Sequence, residues 1–588
     1  MKMAERNRIV AVPVTVMYVI VTVLLLSRYF PYLGEFWKYT TQTWIDLFFV
    51  ILIVLGLGAC FCLLYLLLSY TGEGSKLNGL KPVTDRMPAV KRPEGHVHFR
   101  TKITWTLLIL IFYFALTNVM LYGIGGGRTM DMFASYRAIM AGASGSVMHL
   151  GIGPIVTGSI IMQLFTGAKI IKLDLTKAED KSIYQGTQKL LVIVMIFVEA
   201  IPQVYGYLVP NTDFVSTFGD MGAKGLLIMQ LFIGSYLVFL MDEVVSKWGI
   251  GSGISLFIAA GVSQAIFTGT INWAPGNPSL PPSIGGGTAR ANLPVGTIPK
   301  TVYVLQNMDA GTFASRGYET ILLGQPNPIV ALFGTIIIFF IVAYSESCRV
   351  ELPLAHGRVR GARGRYPIRL IYASNIPVIL MAALLANVQM FSLLLWSHPT
   401  LSKIPLIGHQ WWIGGYEPGS TTSSTGGAYY LSSVNGLHSW LLPLIDYNKY
   451  GVYVGGKTEL QVVAHLLIYF SVMVIGSILF AKFWIETTNM GAEDVAKQIQ
   501  DSGMQIPGFR RDPRVLKMVL NRYIPTVTII SGAFVGMLAA GADMVGTVGN
   551  TSGTGVLLTV GILINLYEAI GKEQMMEMHP VLRGFFGE

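Results

Sequence analysis

Charge is scarce in this chain: 13% of its 588 residues are Asp, Glu, Lys or Arg, against roughly 25% in an average soluble protein. Polar linkers are missing as well, although a soluble chain of this length would divide into domains of about 100–200 residues. Cysteine is nearly absent. Cys60, Cys62 and Cys348 lie in or at the end of apolar runs, with no CxxC and no His/Cys cluster, which argues against a disulfide framework or a zinc site. There is no HExxH, no GxSxG and no Ser/His/Asp order, and His149, His356 and His465 stand alone, so no enzyme activity and no cofactor are expected. What the chain has is apolar residues, 52% of the total, gathered in runs of membrane-spanning length from Ile9 to Ile570. It reads as an all-α polytopic membrane protein.

A bilayer core needs about 20 apolar residues in helix. Twelve stretches qualify or come close, near 9–27, 46–70, 103–122, 153–168, 190–209, 225–242, 253–270, 328–347, 370–396, 459–481, 523–545 and 555–570. Those near 153, 253 and 555 are short and glycine-rich, as suits helices packed inside a bundle. The first has Lys2, Arg6 and Arg8 before it, like a signal peptide. It is followed by Ser27-Arg-Tyr-Phe-Pro31 rather than a small-residue cleavage site, so it is read as a helix.

The formal charge of +10 resolves by loop. The segments on the side that holds both termini carry 31 of the 42 Lys and Arg and a clear net positive charge, leaving 11 Lys and Arg elsewhere. By the positive-inside rule both termini are cytoplasmic, and the long Gly-, Pro-, Ser- and Thr-rich loops 271–327 and 397–458 are external. The cytoplasmic loop 349–369 has six arginines, no lysine and one acid, Glu351, and 510–522 adds Arg510, Arg511, Arg514, Lys517 and Arg522. Arginine forks bind phosphate bidentately, so RNA or lipid headgroups are candidate partners beside plain topology.

Some motifs dissolve on inspection. Gly451-Val-Tyr-Val-Gly-Gly-Lys-Thr458 matches the phosphate-binding pattern, but it lies on the external side and opens a membrane span rather than a soluble βαβ unit. Gly249-x-Gly251-x-Gly253 is too short for a dinucleotide fingerprint. Polar groups inside apolar runs are better leads, because each is costly in hydrocarbon. These are Thr157, Glu199 and Asn387, with Glu346 and Asp543 near span ends. Thr157 has the alternative of bonding back to its own helix, and Glu199 that of lying at the external interface. Met140–Leu150 is too polar and too short to span, and its small residues fit a segment dipping back into the bundle. Finally, Gly251-Ser-Gly-Ile-Ser-Leu256 and Gly553-Thr-Gly-Val-Leu-Leu558 open two spans five apart, from opposite sides, as an inverted repeat requires.

Longer runs carry a specific resemblance. Leu150-Gly-Ile-Gly-Pro-Ile-Val-Thr157 with Ile161-Met-Gln-Leu164 resembles the second transmembrane region of the SecY family of protein-conducting channels. Asp242-Glu-Val-Val-Ser-Lys247 leading into Gly249-Ile-Gly-Ser-Gly-Ile254 is similar to it too. So are Leu352-Pro-Leu-Ala-His-Gly-Arg358, Ser374-Asn-Ile-Pro-Val-Ile379 and Phe483-Trp-Ile-Glu-Thr-Thr488, in the family's order and with an archaeal look close to the eukaryotic Sec translocon alpha subunit.

The resemblance implies a ten-helix channel of two pseudo-symmetric five-helix halves, 91–270 and 328–588, with 271–327 external and cytoplasmic loops at 349–369 and 482–522. It implies a pore ring of Ile152, Val156, Ile254, Ile258, Ile379 and Leu558, and a lateral-gate polar cluster of Thr157, Glu199 and Asn387. The plug, a short helix, would fall at about 140–150 and include Ala141, Ser144, Gly145, Ser146, Val147, Met148 and His149. Ribosome docking would use Arg358, Arg360, Arg363, Arg365, Arg510 and Arg511. The implied partners are SecE and Sec-beta, the ribosome with its nascent chain, signal peptides delivered by the signal-recognition-particle pathway, and lipid, with no DNA. The implied location is the cell membrane. Residues 1–90, with two spans and a basic linker, exceed the ten-helix pattern. The competing reading is a secondary transporter of a small solute, suggested by twelve spans, the internal echo and Glu199.

Overall fold

A computed structural model describes residues 87–578, apart from 88–89, 92, 96, 125–139, 168–170, 172, 174–177, 207, 276–292, 308–309, 326, 357–362, 372–374, 398–409, 411–412, 418–422, 489, 502–503 and 506–512. The stretches 9–27 and 46–70 lie outside the described residues. Every predicted span from 103 onward falls on an apolar helix: α1 Phe99–Thr117, α2 Gly153–Gly167, α3 Ala178–Gly206, α4 Thr212–Trp248, α5 Gly253–Ile271, α6 Ile329–Ser347, α7 Ile376–Ser397, α8 Glu459–Thr487, α9 Pro513–Val545 and α10 Gly553–Met578. Among the described residues, nine helices are long and apolar enough to cross a membrane, and Gly153–Thr166 is a shorter apolar one. Hydrocarbon offers backbone amides no partner except the helix itself, so an apolar run of this length is held helical. Several helices outrun the apolar stretch, because hydropathy marks only the lipid zone and the polar turns beyond it continue the helix.

Internal contacts divide the chain into two units, residues 1–87 with 168–187, and residues 88–167 with 188–588. The described part of the first is chiefly the opening of α3, where the Thr187 hydroxyl donates to the Ile183 carbonyl. In the second unit, α2 packs on α7 and α8, α5 on α10, and α10 on α6 and α9. One apolar core runs through these contacts and includes Ile152, Val156, Ile258, Ile379 and Leu558. The pairing of α8 with α9 depends on small residues: a methyl group at Gly532 would lie 2.8 Å from the Ile478 Cα. Elsewhere side chains turn outward. Leu107, Leu108, Ile111 and Phe112 of α1 are exposed, a face suited to lipid.

The arginine-rich loops hold a sheet that the sequence reading missed. Strand β1 (Arg349–His356) pairs antiparallel with β2 (Arg363–Arg369), and its far end pairs with β5 (Met504–Gln505), giving the order β2-β1-β5. The signal was the alternation of Val350, Leu352 and Leu354 with Glu351 and Pro353. The sheet joins loops 349–369 and 482–522. Between them in sequence lies a small ribbon of β3 (Gly415–Tyr416) and β4 (Ser423–Thr425).

On the other side the two long loops are fastened together. Glu319 forms an ion pair with Lys449 at 2.7 Å and accepts the Tyr450 hydroxyl, and Gln325 meets His438 at 3.0 Å. Burial works to raise the Glu319 pKa, but the Lys449 and Tyr450 hydrogen bonds prevail and hold it below its ordinary 4.5. A carboxylate lowered in the folded state lends stability above its unfolded pKa and withdraws it as pH falls through the folded value. Acidification below about pH 4.5 is therefore expected to speed protease cutting of loops 271–327 and 397–458. Glu319→Gln should be cut at that faster rate already at neutral pH. Equal cutting of both forms at every pH would show that the pair holds nothing.

Candidate functional site

The geometry begins where α2 starts. Gly151 has φ +56°, and a methyl group there would sit 2.1 Å from the Met140 carbonyl oxygen, so only glycine fits this turn. The Ile152 amide then donates to the Met140 carbonyl at 2.8 Å, seating the segment 140–150 on the start of α2. That segment is a run of turns, not the helix implied for a plug. Three of its hydrogen bonds go outward: Val147 N–H to the Val119 carbonyl at 2.8 Å, Leu121 N–H to the Gly145 carbonyl at 2.9 Å, and Tyr113 O–H to the Ala141 carbonyl at 3.0 Å. Together with turn bonds inside the segment, such as His149 N–H to the Ser146 carbonyl at 3.0 Å, they stand in for the ladder of a helix. Gly145 N–H donates to His149 Nδ1 at 2.9 Å, which leaves Nε2 to carry the proton of a neutral ring. Ala141, Ser146, Met148 and His149 are buried, while Ser144, Gly145 and Val147 are half-buried. The Val147 carbonyl lies where a Cβ of Gly234 on α4 would be.

One turn into α2, Thr157 meets Glu199 of α3 and Asn387 of α7. Its hydroxyl lies 2.8 Å from Glu199 Oε1 and 2.9 Å from the Gly153 carbonyl, and it accepts from Asn387 Nδ2 at 3.1 Å. A hydroxyl has one proton, so Thr157 shares it between the carboxyl and its own helix while its lone pairs receive the amide. Both readings of Thr157 from sequence thus describe the same atom. Glu199 is 5% exposed, so its carboxyl faces protein rather than open surface. Gly153 makes room for it, since a methyl group there would lie 2.8 Å from Glu199 Oε2. Three polar residues separated by 42 and 230 positions in sequence therefore form one connected cluster joining α2, α3 and α7.

Beside this cluster lie the expected ring residues. Ile152, Ile258 and Leu558 are fully buried, Val156 and Ile379 nearly so, and Ile254 packs half-buried against the same core. They come from the start of α2, from α5, from α7 and from α10. The pairs 152/156 and 254/258 share a helix face by their spacing. Their side chains are apolar and branched, and none of them titrates.

Of the expected docking arginines, Arg363 and Arg365 lie on β2 opposite Ala355 and Pro353. Arg358, Arg360, Arg510 and Arg511 lie outside the described residues. The phosphate-loop pattern resolves differently: Gly451–Val454 is a single 3₁₀ turn, and Thr458 caps α8 in a reciprocal box with Gln461. Its threonine is already used, and no strand feeds it. Among the described residues no group of three His, Cys, Asp or Glu could hold a metal ion.

Comparison with known proteins places these features. The SecY family model matches residues 146–567, and the model for the plug domain of Sec61p matches 111–145, ending inside the segment 140–150. The protein translocase subunit SecY of Archaeoglobus fulgidus is 45% identical over 517 residues, 87% of this chain and 99% of the relative. That of Haloferax volcanii is 45% identical over 512 residues, 86% of this chain and 98% of its own length. Among solved structures, one described as a protein conducting channel aligns with a TM-score of 0.67 at 37% identity, covering 85% of this chain and 98% of its own. Sec61 in the canine ribosome-channel complex from the endoplasmic reticulum aligns at 0.65 with 37% identity and the same coverage. These likenesses favour a pore-forming translocase role over the small-solute transporter that the span count and Glu199 had left open. The chain belongs to the SecY family of protein-conducting channels.

Proposed function

We propose that this chain is the central pore of a Sec translocon, passing unfolded secretory polypeptides across the membrane and releasing apolar segments sideways into lipid between α2–α3 and α7. The observation that carries the reading is the Thr157–Glu199–Asn387 cluster bridging those helices beside an apolar core that includes the expected ring residues. In the resting state the ring of Ile152, Val156, Ile254, Ile258, Ile379 and Leu558 excludes water and ions by dewetting, and its branched side chains yield around a passing chain. No covalent step is required. The polar cluster stabilises the closed seam, and a sufficiently apolar signal competes with it. Residues 140–150, from Ala141 to His149, take the part of the plug, held by backbone bonds that can be exchanged for water.

In this reading residues 91–270 and 328–588 are the two halves, and the charge asymmetry supports both termini lying on the cytoplasmic side of a cell membrane. SecE and Sec-beta complete a heterotrimer, and the ribosome docks on arginines of the loops that the sheet joins, with signals arriving through the signal-recognition-particle pathway. The test is translocation by the purified complex in vesicles, given ribosomes and a signal-bearing nascent chain. Movement or insertion of that chain is expected. Failure, or proton-driven or sodium-driven uptake of a small solute abolished by Glu199→Gln, would overturn the reading.

A further inference from the structure

The sequence echo at Gly251–Leu256 and Gly553–Leu558 has a structural counterpart. Asp242, in the last two turns of α4, accepts the Ile254 amide at 2.9 Å through Oδ1. Asp543, in the last turn of α9, accepts the Thr554 amide at 3.0 Å through Oδ1, and its Oδ2 accepts the Thr554 hydroxyl at 2.8 Å and the Tyr469 hydroxyl at 2.6 Å. In both places a carboxylate near the end of one long helix reaches the opening turn of the helix that follows. In both, the following helix opens on a glycine pressed against its predecessor. A methyl group at Gly253 would lie 2.6 Å from the Asp242 Cα, and one at Gly553 would lie 2.1 Å from the Ala542 carbonyl carbon.

These contacts fix where the helices begin. The serine at the start of α5, Ser252, makes no capping bond of its own, so the carboxylate that meets the exposed amides of this helix comes from α4. The amide held by Asp242 is that of Ile254, itself an expected ring residue, and Ile258 follows one turn later. On α10, Leu558 lies one turn beyond Thr554. There Ser552 adds a second bond, accepting the Gly555 amide at 3.1 Å. A shift of α5 or α10 along its axis would carry ring side chains out of the plane of the others.

We propose that Asp242 and Asp543 are positioning residues of the pore: each clamps the start of a ring-bearing helix to the helix before it, and so sets the height at which Ile254, Ile258 and Leu558 close the channel. This rests on the ring assignment made above. Asp242 is the more sensitive of the two, because Ser552 partly supports α10 when Asp543 is changed.

The test is the resting ion conductance of the full complex in planar bilayers, with assembly and ribosome binding measured on the same preparations. Asp242→Ala should raise resting conductance roughly tenfold, the loss of one charge-assisted bond to the closed state. Asp242→Asn, which keeps an acceptor oxygen, should recover most of the seal, and Asp543→Ala should leak less than Asp242→Ala. Ile258→Ser tests the ring itself, and Thr528→Ala, a buried hydroxyl that bonds only within α9, tests general loosening. If Ile258→Ser leaks while assembled Asp242→Ala seals like the unaltered channel, the positioning role falls alone. If Ile258→Ser also seals, the ring assignment falls and takes this proposal with it. Equal leak from Thr528→Ala, or no recovery with Asn, would likewise overturn it.

Discussion

Thr157→Val is expected to let the channel accept signal segments too weakly apolar to open the unaltered seam. Valine has nearly the volume of threonine, so the change leaves no cavity and removes only the hydroxyl. That hydroxyl is the hub of the cluster: without it, Asn387 Nδ2 loses its acceptor and Glu199 Oε1 loses a donor. A buried polar group left without its partner costs about 1–3 kcal/mol. Opening the seam returns both groups to water or to the incoming chain, so the cost falls on the closed state. Taking about 2 kcal/mol for the loss, and a gain of about 0.5 kcal/mol for each leucine placed in the membrane centre, the threshold should drop by about four leucines. Asn387→Leu removes one of the two links and should shift the threshold by about half as much. The measurement is translocation of a reporter behind signals of graded leucine content. An unchanged threshold in Thr157→Val would mean that the cluster packs the helices but does not gate them.

How far the sequence revealed this site depends on which part is considered. The spans from 103 onward were legible because a bilayer punishes unsatisfied amides so heavily that composition over about 20 residues decides the outcome. Thr157, Glu199 and Asn387 were each legible as costly groups in apolar runs. Their meeting was not, since no local rule ties residues 42 and 230 positions apart; the family resemblance supplied that. The loss of helix at 140–150 was hidden for the same reason, because its partners Val119 and Leu121 lie outside the segment. The β1–β2–β5 sheet is only faintly legible: Val350, Leu352 and Leu354 alternate, but Pro353 and the dense arginines also fit a loop, and β5 lies about 150 residues away. Glu319 and Lys449 carried no signal at all: each is an ordinary loop charge until the two loops meet.

Joining the two arginine-rich loops in one sheet changes what their charges are expected to do. As separate loops, each could satisfy the positive-inside rule alone, and reversing either would matter only for insertion. Tied through β1 and β5, they share one sheet, and under the proposed function both serve the same partner. Arg360→Glu and Arg510→Glu should each weaken ribosome binding about tenfold at low salt, and together about a hundredfold, since an arginine–phosphate pairing is worth about 1.4 kcal/mol and well-separated pairings add. The weakening should shrink as salt rises, because such pairings are screened and removing one also lowers the salt dependence of what remains. Ribosome affinity across a salt series, with membrane orientation checked by protease accessibility, reads both effects. Complete abolition of binding by either single reversal would mean that the two loops act as one unit. Unchanged affinity in the correctly oriented double variant would leave the arginines with topology as their whole role.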